Sequence, residues 1–342
     1  MRLLDLADIQ GTIVRAYPRE GFIKARYFFL TVIEPAKGRA FVDAVRGRVT
    51  SAEPWETAGG MPKVAVSIGF SFRGLLALEV PTRSLGGMPD KFIVGMQERK
   101  HILGDVNHSA YGTWDEIWQQ SAHLVHIWIA LDAQATADGT PDAELEKTTQ
   151  WLLGLTSEDG VRLLKGHGPS KADFQEAAAL MGQPSGGRPV PTPKEHFGFT
   201  DAIGDPVYEG QYDDKDAADA AIGQGKLMPD QSWKPLAAGE FVLGHPDEAQ
   251  EILPAAPPPE LMRNGTFMAY RKLHQNTASF DGYIDKSAEL YQQVKKMASL
   301  DEAKLTLRAK MVGRWDDGVP LATISWPNRT ATRSASASTS SM

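Results

Sequence analysis

The chain has 342 residues, 42 % hydrophobic and 23 % charged, which is the balance of a globular protein long enough for two ordinary domains. Its formal net charge of -7 argues against a general nucleic-acid surface, because phosphate binding needs clustered Lys and Arg. Cysteine is absent, which excludes disulfides, Cys-ligated zinc, Cys-held iron–sulfur clusters and a thiolate ligand to any haem.

The first residues, "MRLLDLADIQ", carry Asp5 and Asp8 where a signal peptide needs an unbroken apolar core. No apolar run approaches the roughly 20 residues of a membrane-spanning helix. A cytoplasmic protein without membrane contact is expected. "ARYFFLTVI" (25–33) is a β-rich apolar run, and "AKGRAFVDAVRGRV" after it has helical spacing. "KVAVSIGFSF" (63–72) alternates as a strand does, and the short "RGLLALEV" reads as helical. "HLVHIWIALDAQ" (123–134) predicts another strand. "PDAELEKTTQWLLGL" (141–155) predicts an amphipathic helix with acidic residues in its first turn. The β, α, β, α, β, α order fits an α+β domain over 1–156.

The second half, 157–328, starts with "VRLLKGHGP" and a Pro/Gly loop, "GQPSGGRPVPTP" (182–193). "AAGEFVLGHPDEAQ" (237–250) predicts a short strand ending in a turn. "LPAAPPPELMRNG" is an extended Pro-rich loop, and "GTFMAYRKLHQN" predicts a strand. "TASFDGYIDKSAELYQQVKKMA" predicts a long helix, continued by "DEAKLTLRAKMVGRW". The last stretch, "RTATRSASASTSSM" (329–342), is polar and repetitive and predicts a disordered tail.

One segment demands a chemical reading. In "HFGFTDAIGDPVYEG" (196–210) a lone carboxylate, Asp201, sits three residues after a Gly in a constrained turn between aromatic residues. The plain reading is a turn Asp bonding its own backbone. The sharper one is an acid–base group aimed at a cofactor. Phe197 and Phe199 either keep such a pocket dry or simply pack in the core beneath the loop.

With these residues in hand, the sequence resembles the dye-decolorizing peroxidase family of haem enzymes. "LDLADIQGTIVRAY" with "KARYFFL" is similar to the family's opening. "GFTDAIGDPVYEG" resembles its signature loop, Gly-x-x-Asp-Gly followed by Pro and an acidic-Gly pair. "GEFVLGHPDE", "NGTFMAYRKLHQN" and "KMVGRWDDGVPL" resemble three further blocks in the family's order. The resemblance implies two ferredoxin-like α+β domains with antiparallel sheets, of the dimeric α+β barrel type, the second incomplete here. It implies a haem b in the second domain, with hydrogen peroxide and small aromatic or dye substrates as partners. Homo-oligomerisation stays open. Asp201 matches the family's distal acid, Ala202, Ile203 and Gly204 the loop backbone against the haem, and Arg314 an arginine that meets the haem, at a propionate. No metal ligand is nominated.

Two departures from the family pattern stand out. Ala202 replaces the Gly after the acid, at a cost of about 1 kcal/mol if the position needs positive φ, and Asp205 adds a carboxylate to the loop. Also, the family's "GRxxxGxPL" block is followed by a segment with the proximal histidine and a distal arginine, and nothing after Leu321 matches it. A truncated form with doubtful activity is therefore the expectation.

His101, His108, His123, His126, His196, His245 and His274 are each read as structural or surface residues. Trp233, Tyr270, Trp315 and Trp326 are core aromatics or an outward electron relay. Two other functional classes are weighed. One is a non-catalytic α+β binding or assembly module of the same fold. The other is a haem-free enzyme pairing Asp201 with Glu195 or Asp205.

Overall fold

The computed structural model describes residues 3–136, 140–182, 191–201, 205–213, 216–252 and 259–321. Their contacts divide them into two units. One holds the described residues up to 179 together with those between 205 and 269; the other holds 180–182, 191–201 and 270–321.

The first unit is organised by β1 (Phe22–Val32), whose near-continuous apolar run suits a central strand buried on both faces. Glu34 ends it by turning the chain into a helix, accepting hydrogen bonds from the amides of Ala36 (2.9 Å) and Lys37 (2.7 Å). Pro35 at the first helical position completes the start of α1 (Pro35–Arg46). β2 (Val64–Phe70) and β3 (Ile127–Gln134) follow, then α2 (Glu144–Gly154), with Asp142 Oδ1 accepting from the Glu144 amide at 2.9 Å. β4 (Val161–Leu163) and β5 (Gln175–Ala178) complete an antiparallel sheet of order β2-β3-β1-β4, with β5 also on β1.

Register places Phe28 opposite Ile129, and Ile129 opposite Ile68. That face carries Phe28, Leu30, Ile127, Ile129 and Leu131 into one core with Phe41 and Val45 of α1 and Leu145 and Leu152 of α2. Each such side chain contributes about 1.5–3 kcal/mol by leaving water. The opposite face carries Tyr27, Ser67, Trp128 and Asp132, because side chains alternate along a strand. β6 (Lys226–Leu227) and β7 (Trp233–Lys234) form a separate small ladder.

In the second unit, α3 (Thr277–Lys295) starts at Asn276, whose side chain accepts from the Ser279 amide at 3.0 Å. α4 (Leu300–Val312) starts with a reciprocal cap. Ser299 Oγ accepts from the Glu302 amide at 3.1 Å, and Glu302 Oε2 accepts from the Ala298 amide at 2.9 Å. Gly313, with φ 81°, closes it. Arg308 pairs with Asp281 at 2.8 Å and Lys304 with Asp285 at 2.7 Å, so the two helices run antiparallel.

Three sequence expectations need correction. The strand expected over 123–134 starts only at Ile127, after a 3₁₀ turn over Ala122–Leu124. The strand expected within 237–250 is instead a 3₁₀ turn at Ala238–Glu240. "GTFMAYRKLHQN" is irregular, with Met268 and Leu273 exposed. A strand needs a partner for its amides and carbonyls, and no described strand pairs with that run. The α+β class holds, with antiparallel ladders and no sheet closed into a barrel among the described residues. No described helix is long and apolar enough to cross a membrane. The tail over 329–342 lies outside the described residues.

Candidate active-site loop

The segment with Asp201 is a small hairpin-like turn, with Lys194 and Thr200 facing each other across an antiparallel bridge. Gly198 lets it turn. Its φ is 89°, and an added Cβ would lie 3.0 Å from Arg308 Nη2, so a side chain there meets both strain and crowding.

Glu195 braces the turn from inside. Its carboxylate accepts from the amides of Phe197 and Phe199, both at 2.8 Å, and from Gln275 Nε2 at 2.7 Å. Burial pushes this carboxyl up, but the Phe197 and Phe199 amides outweigh burial, with Gln275 and His196 adding to them, and its pKa falls below the ordinary Glu value. Glu195 is therefore a structural brace, which removes it from the carboxylate-pair reading. From the other side, Arg308 donates to the Phe197 carbonyl, and its guanidinium lies over the rings of Phe280 (5.0 Å) and Phe199 (5.6 Å). Phe199 is buried and Phe197 packs on Phe280 at 5.0 Å, so both aromatics serve the core beneath the loop.

Asp201 follows this braced turn. Its amide donates to the Pro193 carbonyl at 2.7 Å, and its side chain is exposed. Thr200, just before it, donates through its amide (3.0 Å) and Oγ1 (3.1 Å) to the carbonyl of Asp316. Asp316 lies in a second turn, closed by Trp315 and Val319 at 2.9 Å, and Arg314 sits at its base. Arg314 is exposed and donates from Nη1 to the Gly318 carbonyl at 2.9 Å, while Trp315 is buried as a core residue. The fold thus ties the Asp201 segment to the Arg314 turn through one carbonyl. Ala202, Ile203 and Gly204 lie outside the described residues, as does Trp326. Asp205 belongs to the first unit, on the rim of an open cleft of about 300 Å³ with Arg15, Glu20 and Tyr212.

The histidines behave as structural or surface groups. His126 Nδ1 accepts from the Val32 amide at 3.0 Å, and burial holds it below the ordinary imidazole pKa. His245 Nε2 meets Asn264 Oδ1 at 2.7 Å. His101, His108, His123, His196 and His274 are exposed. Among the described residues no group of three or more His, Asp or Glu is gathered to hold a metal ion.

Sequence reasoning missed two groups. His167 is buried against Phe29, with ring centroids 5.2 Å apart, and a glycine-flanked histidine gives no pattern to predict that. Asp132 stands in mid-strand, and burial pushes its carboxyl up to about 7. Its signal was visible: one acid inside "IWIALDAQ", at a spacing that shares a face with Trp128 and Ala130. Tyr27 answers to that carboxyl, since burial first and Asp132 second push its phenol up to about 12.

No family model matches the chain. It is 27 % identical over 319 residues to Peroxidase 2 of Mycetinis scorodonius, covering 93 % of this chain and 51 % of that protein. It is 26 % identical over 319 residues to dye-decolorizing peroxidase msp1 of the same organism, covering 93 % and 52 %. Among solved structures, a dye-decolorizing peroxidase in complex with 2,6-dimethoxyphenol superposes with a TM-score of 0.65 at 22 % identity, over 93 % of this chain and 61 % of that one. The chain spans about half the length of the curated relatives it matches. The likeness read from the motifs is borne out in sequence and in fold.

Proposed function

We propose that this chain, a relative of the dye-decolorizing peroxidases, is a haem-dependent peroxidase oxidising dyes and phenolic compounds with hydrogen peroxide, Asp201 acting as its acid–base group. The observation that carries this reading is the shared anchor at Asp316. There the Asp201 segment meets the turn with Arg314 although Thr200 and Asp316 lie 116 positions apart. The names of its relatives and the 2,6-dimethoxyphenol complex of one structural neighbour support the dye and phenol substrate class. The non-catalytic reading has no comparable support.

The chemistry of this set fits a haem b. A carboxylate suits proton transfer, and a guanidinium stays charged and matches a propionate with two parallel hydrogen bonds. When bound, the haem supplies the iron at which the O–O bond of peroxide breaks. Asp201 would carry a proton from one peroxide oxygen to the other, so that the second could leave as water, with the bound haem supplying the two electrons that O–O cleavage needs. Its exposed side chain gives peroxide access, and its hydrogen-bonded backbone removes part of the freedom a floppy acid would have to lose. Arg314 would grip a propionate. The same reading gives the part of the chain after residue 156 the work of holding the haem, and no residue of the chain is proposed as iron ligand.

The test is the 342-residue chain titrated with haem, followed by peroxide-driven oxidation of 2,6-dimethoxyphenol. Asp201→Asn should bind haem as the parent does and slow the oxidation by about 10²–10⁴-fold, the usual worth of a positioned acid–base group. Equal rates in the two proteins, or no haem-dependent oxidation by the parent, would overturn the proposal.

A further inference from the structure

We propose that Lys194 is a positioning residue, holding the segment with Asp201 in register with the turn that presents Arg314. The proposal rests on the peroxidase reading above and extends it to a residue whose hydrogen bonds run to backbone carbonyls of the two turns. The Lys194 ammonium donates to two backbone carbonyls, Gly198 at 2.9 Å and Asp316 at 3.0 Å, and lies 3.6 Å from the Asp316 carboxylate. Two of its N–H groups thus bond carbonyls on two turns, and the Asp316 carboxylate adds an ion pair beside them. A surface lysine ordinarily keeps its flexible stem in motion, and fixing it costs rotamer entropy. Holding it here needs a return, and charge-assisted bonds to carbonyls give one.

The placement matters as much as the strength. The Asp316 carbonyl already accepts from the Thr200 amide and hydroxyl. Lys194 adds a link from that carbonyl to the Gly198 carbonyl, the crest of the turn whose return limb leads to Asp201. Without it, the crest keeps its Glu195 brace and its Arg308 contact but loses its bond to the Arg314 turn. Arg308 is the poorer residue to test. It also pairs with Asp281 across the two helices, so its removal disturbs the whole unit. The bonds that Lys194 makes all lie within the two turns.

The experiment uses Lys194→Met, which keeps the stem, and Lys194→Arg, which keeps the charge. Amide hydrogen exchange is followed by NMR on the haem-free chain. In Lys194→Met the Thr200 amide should exchange about tenfold faster or more, while Ile284 of α3 and Ala303 of α4 keep the parent's rates. Lys194→Arg should stay within about twofold of the parent. With haem at saturation, Lys194→Met should react with peroxide about tenfold more slowly at unchanged haem affinity, and Lys194→Arg should restore the rate, since small misplacements of a catalytic group carry penalties of that order. Parent-like exchange at Thr200 in Lys194→Met would overturn the proposal. So would faster exchange at Thr200 with an unchanged peroxide rate, or exchange raised across both helices. Asp201→Asn separates the two readings. It should slow the peroxide reaction by about 10²–10⁴-fold with Thr200 exchange unchanged. If it instead reacts at the parent's rate, the peroxidase reading falls while the exchange result for Lys194 stands on its own.

Discussion

Two partly buried carboxylates, one in each unit, meet opposite fates. Asp132 stands on a sheet face where burial alone acts on it, and its carboxyl is pushed up to about 7. Glu195 is also withdrawn from water, yet two backbone amides and Gln275 converge on it and hold it below the ordinary Glu value. Burial does not decide the charge of a carboxylate in this protein; the donors around it do. The turn beside Asp201 is built on a carboxylate held charged at neutral pH, while the sheet keeps a proton it gives up near neutral pH.

The contrast breaks first at Asp132. Its folded pKa lies above its unfolded value near 3.9, so its contribution to stability is fully present below that value. The contribution is lost as pH rises towards about 7. Asp132→Asn should therefore be more stable than the parent at pH 8, by about 2–4 kcal/mol, with little difference at pH 4. Urea unfolding at the two pH values measures it. Equal midpoints for parent and variant at pH 8 would mean that donors outside the described geometry satisfy Asp132.

Glu195 should show the reverse sign and a smaller size. Its contribution is present above the unfolded value near 4.3 and is lost as pH falls through its depressed folded pKa. Glu195→Gln turns one acceptor into a donor facing donors, and should cost about 1–3 kcal/mol at pH 7. The cost should shrink as pH falls through that depressed folded pKa and the parent's own carboxyl takes up a proton. The loss should appear as faster amide exchange at Phe197 and Phe199, which distinguishes a failing turn from a failing sheet.

These two residues also mark how far the sequence could be read. The first sheet was legible, because "ARYFFLTVI" and "KVAVSIGFSF" carry apolar runs and alternation long enough to register. β4 and β5, of three and four residues, are too short to show a period, and pair only because β1 offers them an edge. "GTFMAYRKLHQN" failed in the other direction, since its composition is that of a strand but pairing is a property of the neighbour. The roles given to Asp201 and Arg314 rest only on a resemblance in motif. The junction of their two segments at the Asp316 carbonyl, made by Thr200 and Lys194, and the Gln275 bond to Glu195 depend on contacts between distant residues that no local spacing encodes.

The smallest effect comes from His126, and it is visible only once Asp132 is removed. Its Nδ1 must be unprotonated to accept from the Val32 amide, and burial keeps the folded pKa below the ordinary value near 6.5. A depressed histidine contributes stability that is present above its unfolded pKa and lost as pH falls through the folded one. In the parent, Asp132 gains stability over the same fall in pH and masks the slope. In Asp132→Asn, unfolding free energy should decline by about 1 kcal/mol between pH 7 and pH 5. Adding His126→Asn, which has no proton to gain, should flatten it. A slope that survives the second substitution would assign the acid sensitivity of the sheet to some other group, and would restrict the lesson about donors to the carboxylates.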